Sequence, residues 1–117
     1  MILNATIHIF DVVSSQDEST GERVKVISAH KKVRGEKSVV GASTFWNAKE
    51  QHINLLATVQ INQSVYTHQK YVYFIDKKVG VAYEVYNTAK GESPQYIRLN
   101  LQDTNEPGIK EMIENAI

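Results

Sequence analysis

The chain has no cysteine, which excludes a disulfide framework, a thiolate metal site and a cysteine nucleophile. It also lacks a charge of either sign in excess: thirteen basic and thirteen acidic side chains balance to zero. Long-range attraction to nucleic acid or to an anionic membrane is therefore not built into the chain as a whole. No stretch approaches the roughly 18 apolar residues of a membrane span, and Met1–His8 has no positive region followed by an uninterrupted apolar one. The expectation is a protein kept in the cytoplasm of the producing cell, or in a particle assembled there. The sequons Asn4-Ala5-Thr6 and Asn62-Gln63-Ser64 then carry no glycosylation meaning. A phosphate-binding loop is missing too. Gly35-Glu36-Lys37-Ser38 has the closing letters but neither the preceding glycine nor the direct Gly-Lys step.

What the chain does have is alternation. Ile53, Leu55, Ala57, Val59 and Ile61 interleave with Asn54, Leu56, Thr58, Gln60 and Asn62, the period of two of a half-buried strand. Tyr71, Tyr73 and Ile75 make a second run, and the parity resumes at Val79, Val81, Tyr83 and Val85 after Asp76-Lys77-Lys78, which predicts a hairpin. Ile97, Leu99 and Leu101 predict a further strand over 95–101, fed by a turn over Asn87–Pro94. At the front, Ala5, Ile7 and Ile9 alternate, Ser14–Arg23 is polar enough for an exposed hairpin tip, and Val24–Arg34 is the return strand. In that return strand Ile27, Ala29 and Val33 share no clean face.

These segments predict a mainly β protein: a small antiparallel β-barrel or sandwich of about six strands, closure removing aggregation-prone edges. A long loop over 38–51 with a short helical turn separates strands two and three. Pro107 suits a first helical turn, and Ile109, Met112, Ile113 and Ala116 fall at i, i+3, i+4 and i+7. The expected organisation is one domain over 1–104 and a C-terminal amphipathic helix or arm over 105–117, too short to be stable without a surface to pack on.

No catalytic group emerges. Gly41-Ala42-Ser43-Thr44-Phe45 fails the nucleophile elbow because Phe45 stands where a second glycine must permit close approach. Glu18 with Glu22 and Glu111 with Glu114 lie on solvated surfaces that do not raise a carboxyl pKa. His8, His30, His52 and His68 show no ligand spacing, so neither metal nor cofactor is expected. Lys31, Lys32, Arg34 and Lys37, with Tyr66, Tyr71, Tyr73, Tyr83 and Tyr86, imitate an oligonucleotide-binding barrel. Tyrosines at period two are more often core or interface residues, and the basic run equally suits a solvated face or a contact for an acidic partner. Trp46 is either an aromatic plug of the barrel or, beside Phe45, one half of a pair that points two ways and meets a neighbouring subunit.

The order Lys37-Ser38-Val39, Ser43, Phe45-Trp46, Ala48, Ile53–Ile61, Lys70-Tyr71-Val72, Val79–Val85 and Ile97–Leu101 resembles that of the head-closure (stopper) and head-tail connector proteins of long-tailed bacteriophages. The resemblance implies a structural virion neck protein, not an enzyme, forming a ring of about twelve copies below the portal. It implies that the loop residues Ser38, Val39, Val40, Gly41, Ala42, Ser43, Thr44, Phe45, Trp46, Asn47, Ala48 and Lys49 face a channel. There they would retain packaged double-stranded DNA without reading its sequence. The implied partners are the same chain, a portal or adaptor protein, and a tail terminator or tail protein, with no membrane. Ile109, Met112 and Ile113 of the helix and Lys31, Lys32 and Arg34 of the basic run are the partner-interface candidates. A tail-completion or tail-tube protein would share these strands and remains an alternative, as does the oligonucleotide-binding module.

Overall fold

A computed structural model describes residues 5–16, 18–38, 55–76, 78–104 and 106–117. Six strands are present among them: β1 (Ala5–Gln16), β2 (Arg23–Ser38), β3 (Leu55–Asn62), β4 (Tyr71–Asp76), β5 (Val79–Lys90) and β6 (Tyr96–Gln102). A 3-10 turn over Gln63–Val65 follows β3, and one helix, α1 (Ile109–Ala116), ends the chain. The strands are antiparallel and form a closed barrel in the order β1-β2-β3-β6-β5-β4, with β1 pairing β4 to complete it. The mainly β architecture with a short C-terminal helix is thus as the alternation predicts.

Side chains from every strand fill the interior. Ile7, Ile9, Val59, Ile61, Val72, Phe74, Leu99 and Leu101 are buried together, with Val33, Val81, Tyr83, Val85 and Ile97 packed against them. A second cluster lies on the outer surface. There Phe10, Tyr71 and Tyr73 are covered by Ile109 and Ile113 of α1, with Val12, Ile27 and Ala82 at its margin. Strand β4 is therefore buried on both faces over Tyr71–Phe74. The alternation misleads here: Tyr71 and Tyr73 point outward under the helix, Val72 and Phe74 point inward, and Ile75 is exposed.

Register irregularities explain the other departures. Ile9 pairs with Lys31 but Asp11 with Ser28, so Ala29 and His30 together face Phe10 in a β-bulge, with Ala29 at φ 53°. A bulge shifts the parity of the strand, which is why Ile27, Ala29 and Val33 share no face. Buried Gln69 braces it, donating from Nε2 to Ala29 O at 3.0 Å, while Asp11 Oδ1 accepts from Lys70 N at 2.8 Å. In β5 a second shift falls between Val85 and Asn87, and the strand continues to Lys90, so the predicted turn over Asn87–Pro94 begins only at Gly91. The strands of the first hairpin likewise reach Gln16 and start at Arg23, leaving a shorter tip than expected. Helix α1 opens at Ile109 after Gly108, whose φ of 81° only glycine adopts readily; Pro107 precedes the helix and is not in its first turn.

Candidate partner-binding surfaces

Strand β2 ends at Ser38 and β3 starts at Leu55, so the predicted channel loop enters and leaves the sheet between two paired neighbours. Val39 to Lys49 lie outside the described residues, as do Ile53 and His52. Ser38 is not a loop residue: it is registered with Thr58 as the last pair of the β2–β3 ladder. One residue earlier, Lys37 Nζ donates to Ile75 O at 3.3 Å, lies 3.6 Å from Asp76 Oδ1 and sits 5.3 Å above the Phe74 ring. Its side chain thereby ties β2 to β4 across β1, bracing the rim next to the point of insertion.

A hydrogen-bonded polar strip starts beside Ser38. Thr58 Oγ1 donates to Asn100 Oδ1 at 3.1 Å, and Asn100 Nδ2 donates to Asn87 Oδ1 at 2.6 Å. Gln102 Nε2 donates to Glu84 Oε2 at 3.0 Å, and Lys70 Nζ lies 3.4 Å from Glu84 Oε1. Thr58, Gln60 and Asn100 are buried although they alternate with the interior residues Val59, Ile61, Leu99 and Leu101. From sequence this is only the polar side of an alternating strand. The signal that could have found it is the choice of amides and hydroxyls over charges, since neutral groups are the ones whose hydrogen bonds a covered site can satisfy.

The basic run does not form one patch. Val33 faces the core, and Lys31 and Lys37 share its parity; Lys31 Nζ donates to Val65 O at 3.1 Å. Lys32 and Arg34 take the opposite, outer face and are exposed. Nor do the tyrosines form a stacking platform: Tyr71 and Tyr73 lie beneath the helix, and Tyr83 packs on the core with its ring 5.7 Å from Phe74. Burial raises the pKa of Tyr71 and Tyr83, whereas for Tyr73 the leading cause is its hydroxyl's 2.7 Å hydrogen bond to Glu114 Oε2.

Ile109 and Ile113 are corrected as partner-interface candidates. Both are fully buried against Phe10, Tyr71 and Tyr73 of the same chain, because an exposed aromatic outer face and an eight-residue amphipathic helix each need the other. Met112 stays half-exposed and remains accessible.

Two features were missed from sequence. His8 Nδ1 and His30 Nε2 lie 2.9 Å apart, one imidazole donating and the other accepting, with Tyr73 beside His8 at 6.0 Å between ring centroids. Burial, then His30, then Lys32 hold the His8 pKa below its ordinary value. No group of three or more metal-ligating side chains converges among the described residues. The second feature is an exposed set of valines, Val13, Val24 and Val26, on the β1–β2 hairpin. A cleft of about 730 Å³ beside the β5–β6 turn is lined by Thr88, Lys90, Gly91, Ser93 and Tyr96. No helix among the described residues is long and apolar enough to cross a membrane. Comparison with known proteins finds no matching family model, no matching curated protein and no matching solved structure.

Proposed function

We propose that this chain is a structural neck protein of a long-tailed phage virion, a head-closure or head-tail connector subunit. It sits below the portal ring, retains packaged DNA and presents the surface to which the tail attaches. The observation that carries the reading is positional. The segment Ser43 to Ala48, with its Phe45-Trp46 pair, falls between the second and third strands, inside a sixteen-residue stretch whose flanks are locked by the Ser38–Thr58 pairing. A closed scaffold with an insertion rooted in paired strands suits a steric gate, since a gate has to be displaced without loss of the sheet that carries it. Ring symmetry then multiplies a weak barrier into a closed diaphragm. Deleting residues 41–49 should leave a folded barrel and yield heads that leak DNA; heads that keep their genome at the parental level would refute the role. A tail-completion subunit is the second reading, favoured if the purified chain joins tails and not portal-bearing heads. Oligonucleotide binding is the weaker one, because four of its five tyrosines, Tyr66, Tyr71, Tyr73 and Tyr83, are taken up by the chain's own packing.

A further inference from the structure

Strands β1 and β2 outrun the barrel. β1 pairs β4 only over Ile7–Phe10, and β2 pairs β3 only over Gly35–Ser38, whereas β1 and β2 pair each other out to Gln16 and Arg23. Residues 11–16 and 23–28 are therefore a two-stranded ribbon with no further strand on either side among the described residues. Its six residue pairs reach about 20 Å, and the molecule measures 49 Å along its long axis against 31 and 28 Å. A free two-stranded ribbon is marginal in water without a surface to pack on.

The two faces of the ribbon differ. Val12 and Ile27 pack towards the helix cluster, and Lys25 forms an ion pair with Glu106 just before α1. On the other face Val13 is registered opposite Val26, with Val24 two residues along; they are 44, 41 and 41% exposed. By parity with Ile7 and Ile9 this face prolongs the barrel's inner wall beyond its rim, with no opposite wall. The tip beyond it carries Glu18 and Glu22, and Asp17 lies between the strands in sequence. Lys32 and Arg34 occupy the outer face of the same β2, exposed and with no ion-pair partner among the described residues. Ten residues of extended chain separate Glu22 from Lys32, about 30 Å, so one copy cannot bring its own tip to its own basic pair.

We propose that the ribbon is a docking arm for a second copy of this chain, its valine face laid on the neighbour and its acidic tip meeting the neighbour's Lys32 and Arg34. The contact is head-to-tail: each copy gives its arm on one side and its basic pair on the other, so it propagates to a ring or filament. The valine face alone offers a few hundred Å², short of the roughly 800 Å² per partner of a stable interface. Tip, valines and basic pair must therefore act together, and self-association is salt-sensitive. The contact is independent of any role in a virion.

The natural absence of cysteine makes the test direct. The Glu22→Cys, Arg34→Cys double variant, mildly oxidised, should give a ladder of disulfide-linked multimers, and each single variant at most a dimer. In sedimentation velocity on the full chain, Glu18→Lys with Glu22→Lys should weaken self-association at least tenfold. Mixing that variant with Lys32→Glu, Arg34→Glu chains should restore it, and Val26→Asp should abolish it with the fold intact by circular dichroism. A chain that stays monomeric at high concentration, multimers indifferent to the charge exchange, or valines that become covered only on adding a different protein would each overturn the arm. A monomeric chain whose 41–49 deletion still released DNA would sink the arm and leave the neck role; a cysteine ladder from a chain that never enters a neck would do the reverse.

Discussion

Replacing Ile113 with alanine tests whether α1 belongs to the barrel or hangs free as an arm. Ile113 is fully buried with Phe10, Tyr71 and Tyr73 on a surface that the helix alone covers among the described residues. Truncating a buried isoleucine removes its transfer free energy and leaves a cavity, together about 2–5 kcal/mol. The helix is a single short element that can settle towards the sheet, so the lower half of that range, about 2–3 kcal/mol, is expected. For a domain of this size the melting temperature should fall by on the order of 10 °C. Met112→Ala, on the half-exposed side of the same helix, should lose less than about 1 kcal/mol. Urea titrations followed by tyrosine fluorescence and by backbone circular dichroism would measure both. If α1 detaches before the barrel unfolds, the loss saturates at the helix's docking free energy and amide exchange quickens only in 109–116 and β4. Equal stabilities of parent, Ile113→Ala and Met112→Ala would refute the docked helix and return Ile109 and Ile113 to the list of surfaces awaiting a partner.

Gly35→Val should destabilise the barrel by about 1–3 kcal/mol, because a Cβ there meets Ile7 Cδ1 and comes within 3.0 Å of Gln60 O and Ile61 Cγ2; a chemical melt unchanged by the substitution would contradict the close β2–β3 approach. The histidine pair gives a pH dependence of definite sign. The folded state holds His8 below its usual pKa of 6.5, so the unfolded chain binds more protons than the folded one as the pH drops. The stabilisation is present above pH 6.5 and is lost as the pH falls through the lower, folded value. His8→Gln should flatten stability across that window relative to the parent, and a parent whose stability rises on acidification there would contradict the assignment.

The interior was legible because β3, β6 and β5 alternate regularly over the stretches that fill it, clear of their register shifts: Val59 and Ile61, Leu99 and Leu101, Val81 and Tyr83. Alternation cannot say which face is inside when both are buried, and in β4 the tyrosine face was covered by a helix distant in sequence. Nor does it survive a bulge, so Ala29 at φ 53° obscured the middle of β2. The helix itself was visible in the spacing of Ile109 and Ile113, but its partner surface was not, since Phe10 lies about a hundred residues upstream. Lys31 and Lys32 look like one patch in sequence and separate in space for the elementary reason that neighbours on a strand point opposite ways.

The ladder pair Ser38–Thr58 has a thermodynamic corollary. Once that pair fixes the stem, the entropic cost of joining its two ends rises only logarithmically with the number of residues between them, so doubling that number costs about 0.6 kcal/mol. Changes in the length of that segment are therefore cheap for the surrounding hydrogen-bond lattice to tolerate.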